Sequence, residues 1–111
     1  MIAIKPGVRT RGMSPEILLA VFVAHELFKE SAETITLTSV TDGKHMEGSL
    51  HHAGLAVDLR LPNAGKERLV QQLGIRLGAD YDVVLEGDHI HVEYDPKRPL
   101  PNTPAPAPAA A

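Results

Sequence analysis

Cysteine is absent from this 111-residue chain. That excludes a disulfide framework and any thiolate-held metal. Excess positive charge is absent too: 11 lysines and arginines against 14 acids give a net charge of −3 and no reason to expect a nucleic-acid partner. Long apolar runs are also missing. The longest, Ile17 to Ala24, falls well short of the roughly 20 residues that cross a bilayer, so no membrane partner is expected. The opening Met-Ile-Ala-Ile-Lys-Pro-Gly lacks the basic-then-apolar layout of a secretory signal, which points to synthesis in the cytoplasm. What is present, 43% apolar and 23% charged residues, is the ordinary composition of one globular domain.

Composition changes near Pro96. Six of the nine prolines lie from there onward, alternating with alanine in Thr103-Pro-Ala-Pro-Ala-Pro-Ala-Ala-Ala. Such a segment has no apolar face to bury, so residues 1–97 are expected to fold and 98–111 to form a disordered tail. Ser14-Pro15-Glu16 reads as a helix start, with Leu18, Val21, Ala24 and Phe28 following at helical spacing to about Glu30. Ile35 to Val40 reads as a strand, and Gly54 to Leu61 as another whose Ala56, Asp58 and Arg60 share one face. Asn63 can cap a second helix carrying Leu69, Val70, Leu73 and Leu77 and ended by Gly78. Tyr81 to Tyr94 reads as a hairpin turning at Gly87-Asp88.

That turn predicts a register. Glu86 falls opposite His89 and Val84 opposite His91 on one face, while Val83, Leu85, Ile90 and Val92 form an apolar face for the core. The predicted fold is therefore α+β: a small antiparallel sheet with the helices on one face and a polar site on the other. Five of the six histidines lie in two clusters rich in carboxylates: His45, His51 and His52 before Asp58, and His89 and His91 between Glu86 and Glu93. Without thiolates, imidazole and carboxylate are the ligands zinc takes, and three of them leave a position open for catalysis.

Ser49-x-His51-x-x-Gly54-x-Ala56-x-Asp58, followed by His91 in an aromatic-ended strand, resembles the zinc-binding pattern of the D,D-carboxypeptidase and Hedgehog superfamily. That group includes peptidoglycan-cleaving D-alanyl-D-alanine peptidases and L-alanyl-D-glutamate endopeptidases, many from bacteriophages. The resemblance covers about residues 7–95 and implies a single Zn2+ ion held by His51, Asp58 and His91. It further implies a monomeric metallopeptidase acting on the peptidoglycan stem peptide, either after release or as part of a virion. His89-Ile90-His91, and His45 six residues ahead of His51, are similar to the Hedgehog branch. From that branch comes the alternative, a zinc-containing binding module that cleaves nothing. Peptidases of the group carry a substrate-binding arginine where Asp42 falls here, and Asp42 alone stands where Hedgehog proteins have an acidic calcium loop, so calcium is not expected.

Two carboxylates compete as the general base. Glu86 is favoured by the register, whereas Asp88 has the three-residue lead on His91 that is common in the group and can alternatively orient an imidazole. His89 or His45 can donate a hydrogen bond to an oxyanion. Arg60 can meet an anionic substrate group or simply be solvated. Ser49 and Gly54 serve the turn that presents His51, His52 is a surface residue and His25 is structural.

Overall fold

Gly87 and Asp88 turn the chain back on itself, and the strands they join set the register of the functional face. The computed structural model describes residues 1–42, 51 and 53–97; His45, Ser49, His52 and the tail 98–111 lie outside the described residues. Strands β4 (Tyr81–Leu85) and β5 (His89–Tyr94) pair antiparallel, with Val84 opposite His91 and Leu85 opposite Ile90, as the turn requires. The Glu86 N–H donates to the His89 carbonyl at 2.9 Å and closes the hairpin. Ile90 and Val92 are buried on one face, so His89, His91 and Glu93 share the other.

Strand β3 (Ala56–Arg60) lies beside β5, bringing Asp58 opposite His91 and Arg60 opposite His89. Strand β2 (Ile35–Ser39) flanks β3, and a register shift after Leu37 leaves Ser39 opposite Asp58. One more strand corrects the sequence reading. β1 (Ile2–Ile4) pairs parallel with β2, so the five-stranded sheet, in the order β1-β2-β3-β5-β4, is mixed rather than antiparallel. Its three residues are too few to show alternation. Parallel neighbours need a crossover, and α1 (Pro15–Glu30) supplies it.

The Ser14 hydroxyl caps α1 by accepting the Ile17 N–H at 3.2 Å, with Pro15 at the first helical position. Its buried stripe is Ile17, Ala20, Val21, Ala24, Leu27 and Phe28, whereas Leu18, expected inward, is exposed. Ile17 leads Val21 by one turn and takes the place assigned to Leu18. Helix α2 (Lys66–Leu77) starts after Asn63 rather than at it, with Gly65 as its cap in the left-handed conformation. The Asn63 N–H instead donates to Glu33 Oε1 at 2.7 Å, so Asn63 belongs to the preceding loop. Both helices pack into one core with Leu37, Val57, Leu59, Ile90 and Val92. The Tyr81 hydroxyl donates to the Glu16 carbonyl at 3.0 Å and its ring meets that of Tyr94, tying the hairpin to α1. Among the described residues no helix is long and apolar enough to cross a membrane.

Candidate metal centre

His51 reaches the open face of the sheet through a chain of backbone contacts that begins at Asp42. The Asp42 carboxylate accepts the Val40 N–H at 2.9 Å and the Arg9 N–H at 3.1 Å. The Thr41 hydroxyl donates to the carbonyls of Arg9 and Arg11. Together they fasten the loop before α1 to the end of β2. Val40 is thereby fixed, and its carbonyl accepts from His51 Nδ1 at 2.7 Å. On the other side of His51 the chain turns back. The Gly54 N–H donates to the His51 carbonyl, and the Gly54 carbonyl accepts the Ser14 N–H, both at 3.0 Å. Gly54 has φ +75° and sits against the backbone of Gly12 and Met13, where no side chain fits.

A carbonyl can only accept, so His51 Nδ1 carries a hydrogen and Nε2 is the nitrogen turned to the site, with a lone pair there whenever the ring is neutral. That Nε2 lies 3.2 Å from Asp58 Oδ1. The same oxygen is 3.0 Å from His91 Nδ1 and 3.7 Å from His89 Nε2. Two lone pairs facing one another at 3.2 Å, His51 Nε2 and Asp58 Oδ1, are favourable only with positive charge between them, a proton or a metal ion. His51 is 4% exposed, the one charged or polar residue in the buried set among the described residues. His51, Asp58 and His91 offer ligand atoms all within 4.8 Å of one another and can hold a metal ion.

The electrostatics agree with a cation site. Burial raises the Asp58 carboxyl, but hydrogen bonds with His51 and His91 outweigh it and hold the group well below the usual carboxylate range. The hydrogen bond to Asp58 pushes His91 up to about 9 against its own burial, with Glu93 adding to the effect. A histidine raised from 6.5 to about 9 contributes stability that is fully present below 6.5 and lost as pH rises through 9. In chelator-treated protein the thermal midpoint should therefore fall from about pH 7 to about pH 10, by the equivalent of roughly 2 kcal/mol. His91→Gln should flatten that slope. A flat profile in the unaltered chain would show that Asp58 does not hold the His91 proton.

The structure thus brings His51, Asp58 and His91 together. His89 adjoins them, with its Nδ1 on Asp88 Oδ1 at 2.6 Å, a contact that lowers the Asp88 carboxyl and aims Nε2 at Asp58. Asp88 consequently orients an imidazole. Glu86 stands opposite His89 at the turn, exposed, and its carboxylate makes no hydrogen bond or ion pair among the described residues. Arg60 is exposed beside His89 and likewise makes none.

Glu93 was not among the expected site residues. Its Oε1 accepts from His91 Nε2 at 2.8 Å. The signal for it was strand alternation, since a residue two past His91 must share its face. Ala56 stands opposite Glu93, fully buried, and its small side chain leaves that carboxylate room. A second group, Asp82, Glu93 and Asp95, can also hold an ion by spacing. There the Lys97 ammonium already lies 3.0 Å from Asp82 and 3.5 Å from Asp95. Compared with known proteins, the chain matches no family model, no curated protein and no solved structure.

Proposed function

We propose that this chain is a zinc-dependent peptidase that hydrolyses an amide bond in the peptide stem of bacterial peptidoglycan, with a Hedgehog-like fold and a D,D-carboxypeptidase or L-alanyl-D-glutamate endopeptidase type of activity. One observation carries the reading: the convergence of ligand atoms from His51, Asp58 and His91 within 4.8 Å, on the motif that resembles that superfamily. The donor set fits zinc. Two imidazoles and a carboxylate are the ligands of an open catalytic site, and each imidazole has its far nitrogen held by an acceptor, Val40 O or Glu93 Oε1. Zinc bound there supplies Lewis acidity, acidifying water and polarising the scissile carbonyl.

The remaining chemistry falls to side chains around the ligands. His89, steadied by Asp88 at Nδ1, directs Nε2 into the site and, when both ring nitrogens carry hydrogen, can donate to the carbonyl oxygen as negative charge develops on it. Glu86, unpaired beside His89, takes a proton from water and returns it to the leaving amine. Arg60, two residues past Asp58 on the same face, meets an anionic group of the stem. Glu86→Gln should retain zinc and lose at least about a hundredfold in rate, the weight of a positioned general base. Asp88→Asn should cost much less, through a loosened His89. An inactive Asp88→Asn beside an active Glu86→Gln would transfer the base role to Asp88.

A second reading, a zinc-bearing binding module of Hedgehog type that cleaves nothing, is favoured by Asp42. Where the peptidases place an arginine for a terminal carboxylate, this chain has an acid engaged by the N–H groups of Arg9 and Val40. Incubating the protein with peptidoglycan, with and without chelator, and weighing the released fragments by mass spectrometry separates the two. Chelator-sensitive release of stem fragments supports the enzyme. Zinc uptake with no new fragment supports the module.

A further inference from the structure

His91 is held between two carboxylates, and only one of them belongs to the ligand set. Asp58 Oδ1 lies 3.0 Å from Nδ1, and Glu93 Oε1 lies 2.8 Å from Nε2. Glu93 is about three-quarters buried, at 24% side-chain exposure. Its cross-strand neighbours are Ala56 on β3 and Asp82 on β4. Ala56 offers no donor, and the Asp82 carboxylate is engaged by Lys97 Nζ at 3.0 Å. Among the described residues, His91 is accordingly the one side chain that hydrogen-bonds Glu93.

A carboxylate accepts and does not donate, so the contact with Glu93 keeps a hydrogen on His91 Nε2 and turns Nδ1 towards His51 and Asp58. His51 is arranged the other way round, with its Nδ1 hydrogen on Val40 O and Nε2 directed inward. The two imidazoles therefore face the site through different ring nitrogens. The partner on the far nitrogen decides this in each case.

We propose that Glu93 is a positioning residue that fixes His91 as an Nδ1 ligand of the metal. The inference rests on the metal centre put forward above and adds to it both the residue that sets His91 and the nitrogen that binds. Glu93 itself contacts neither metal nor substrate. Its effect passes through the tautomer and the ring angle of His91.

The test is a zinc competition titration against a chromophoric chelator on the full chain, with Glu93→Ala and Glu93→Gln compared to the parent. Glu93→Ala should weaken zinc binding by about ten- to a hundredfold, the usual effect of losing an outer partner of a ligating histidine. Glu93→Gln keeps an amide oxygen that accepts the same hydrogen and should recover most of that loss. A purely structural role for Glu93 would lower the thermal midpoint of the alanine variant and leave zinc affinity untouched. Long-range 15N–1H correlation spectra of the zinc-loaded parent give a readout that needs no variant to fold. The expected pattern is a protonated Nε2 and a zinc-bound Nδ1 at His91, with the reverse at His51. Zinc on His91 Nε2, or a Glu93→Ala affinity within about twofold of the parent, overturns the inference alone. A parent chain that takes up no zinc overturns the metal centre and this inference together.

Discussion

Replacing Asp58 with alanine should weaken zinc binding on the order of a hundred- to a thousandfold. Zinc sites of four protein ligands hold the ion with roughly 10–16 kcal/mol, so one ligand accounts for about 2.5–4 kcal/mol, and each 1.4 kcal/mol is tenfold. Asp58 is also the hub of the cluster: its Oδ1 lies within 3.7 Å of nitrogens on His51, His89 and His91. Its loss removes a carboxylate that lies 3.2 Å from His51 Nε2. His51→Ala should lose the metal to a similar extent. Asp82→Ala is the informative control, because Asp82 belongs to the other acidic group. A competition titration that places the large loss at Asp82 rather than Asp58 would move the ion to that group.

Gly54→Ala should destabilise the fold by about 3–5 kcal/mol, combining a left-handed conformation that is costly for alanine with overpacking against a backbone that cannot give. A Cβ at Gly54 would overlap the Gly12 carbonyl oxygen and stand 2.9 Å from the Gly12 carbonyl carbon, and the residue sits at φ +75°. Both clashing atoms are main chain, pinned by the Ser14 N–H on the Gly54 carbonyl at 3.0 Å. Relief would require shifting the start of α1, or the turn that presents His51. For a chain of this size the thermal midpoint should drop on the order of 15–30 °C. Gly74→Ala is the contrasting case. Gly74 lies inside α2 with nothing within 4 Å of a Cβ, and alanine there should stabilise by about 0.5–1 kcal/mol. Equal midpoints for the two variants would mean that Gly54 is not pressed against Gly12.

The face that carries Asp58 and His91 was legible because a two-residue turn and strict alternation leave little choice. Once Gly87 and Asp88 form the turn, Val84 must pair with His91, and Asp58 needs only an adjacent β3 to stand opposite. The helices were legible from caps and spacing, though the stripe of α1 fell on Ile17 instead of Leu18. What stayed hidden depends on contacts distant in sequence. β1 has three residues and no alternation to display, and it is held by pairing with β2 across the whole of α1. Asn63 has the chemistry of a cap, but Glu33 takes its N–H first. The anchor of His51 is a main-chain carbonyl, at Val40, and no side-chain pattern announces a carbonyl. Glu93 could have been found from alternation alone, yet its role needs the 2.8 Å contact with His91 Nε2.

Anomalous diffraction at the zinc absorption edge, from crystals grown with the metal, tests the central claim most directly. The expected result is one peak per chain at about 2.0–2.2 Å from His51 Nε2, Asp58 Oδ1 and His91 Nδ1, the distances zinc keeps to nitrogen and carboxylate oxygen. No peak at those three atoms, or the sole peak among Asp82, Glu93 and Asp95, would contradict it.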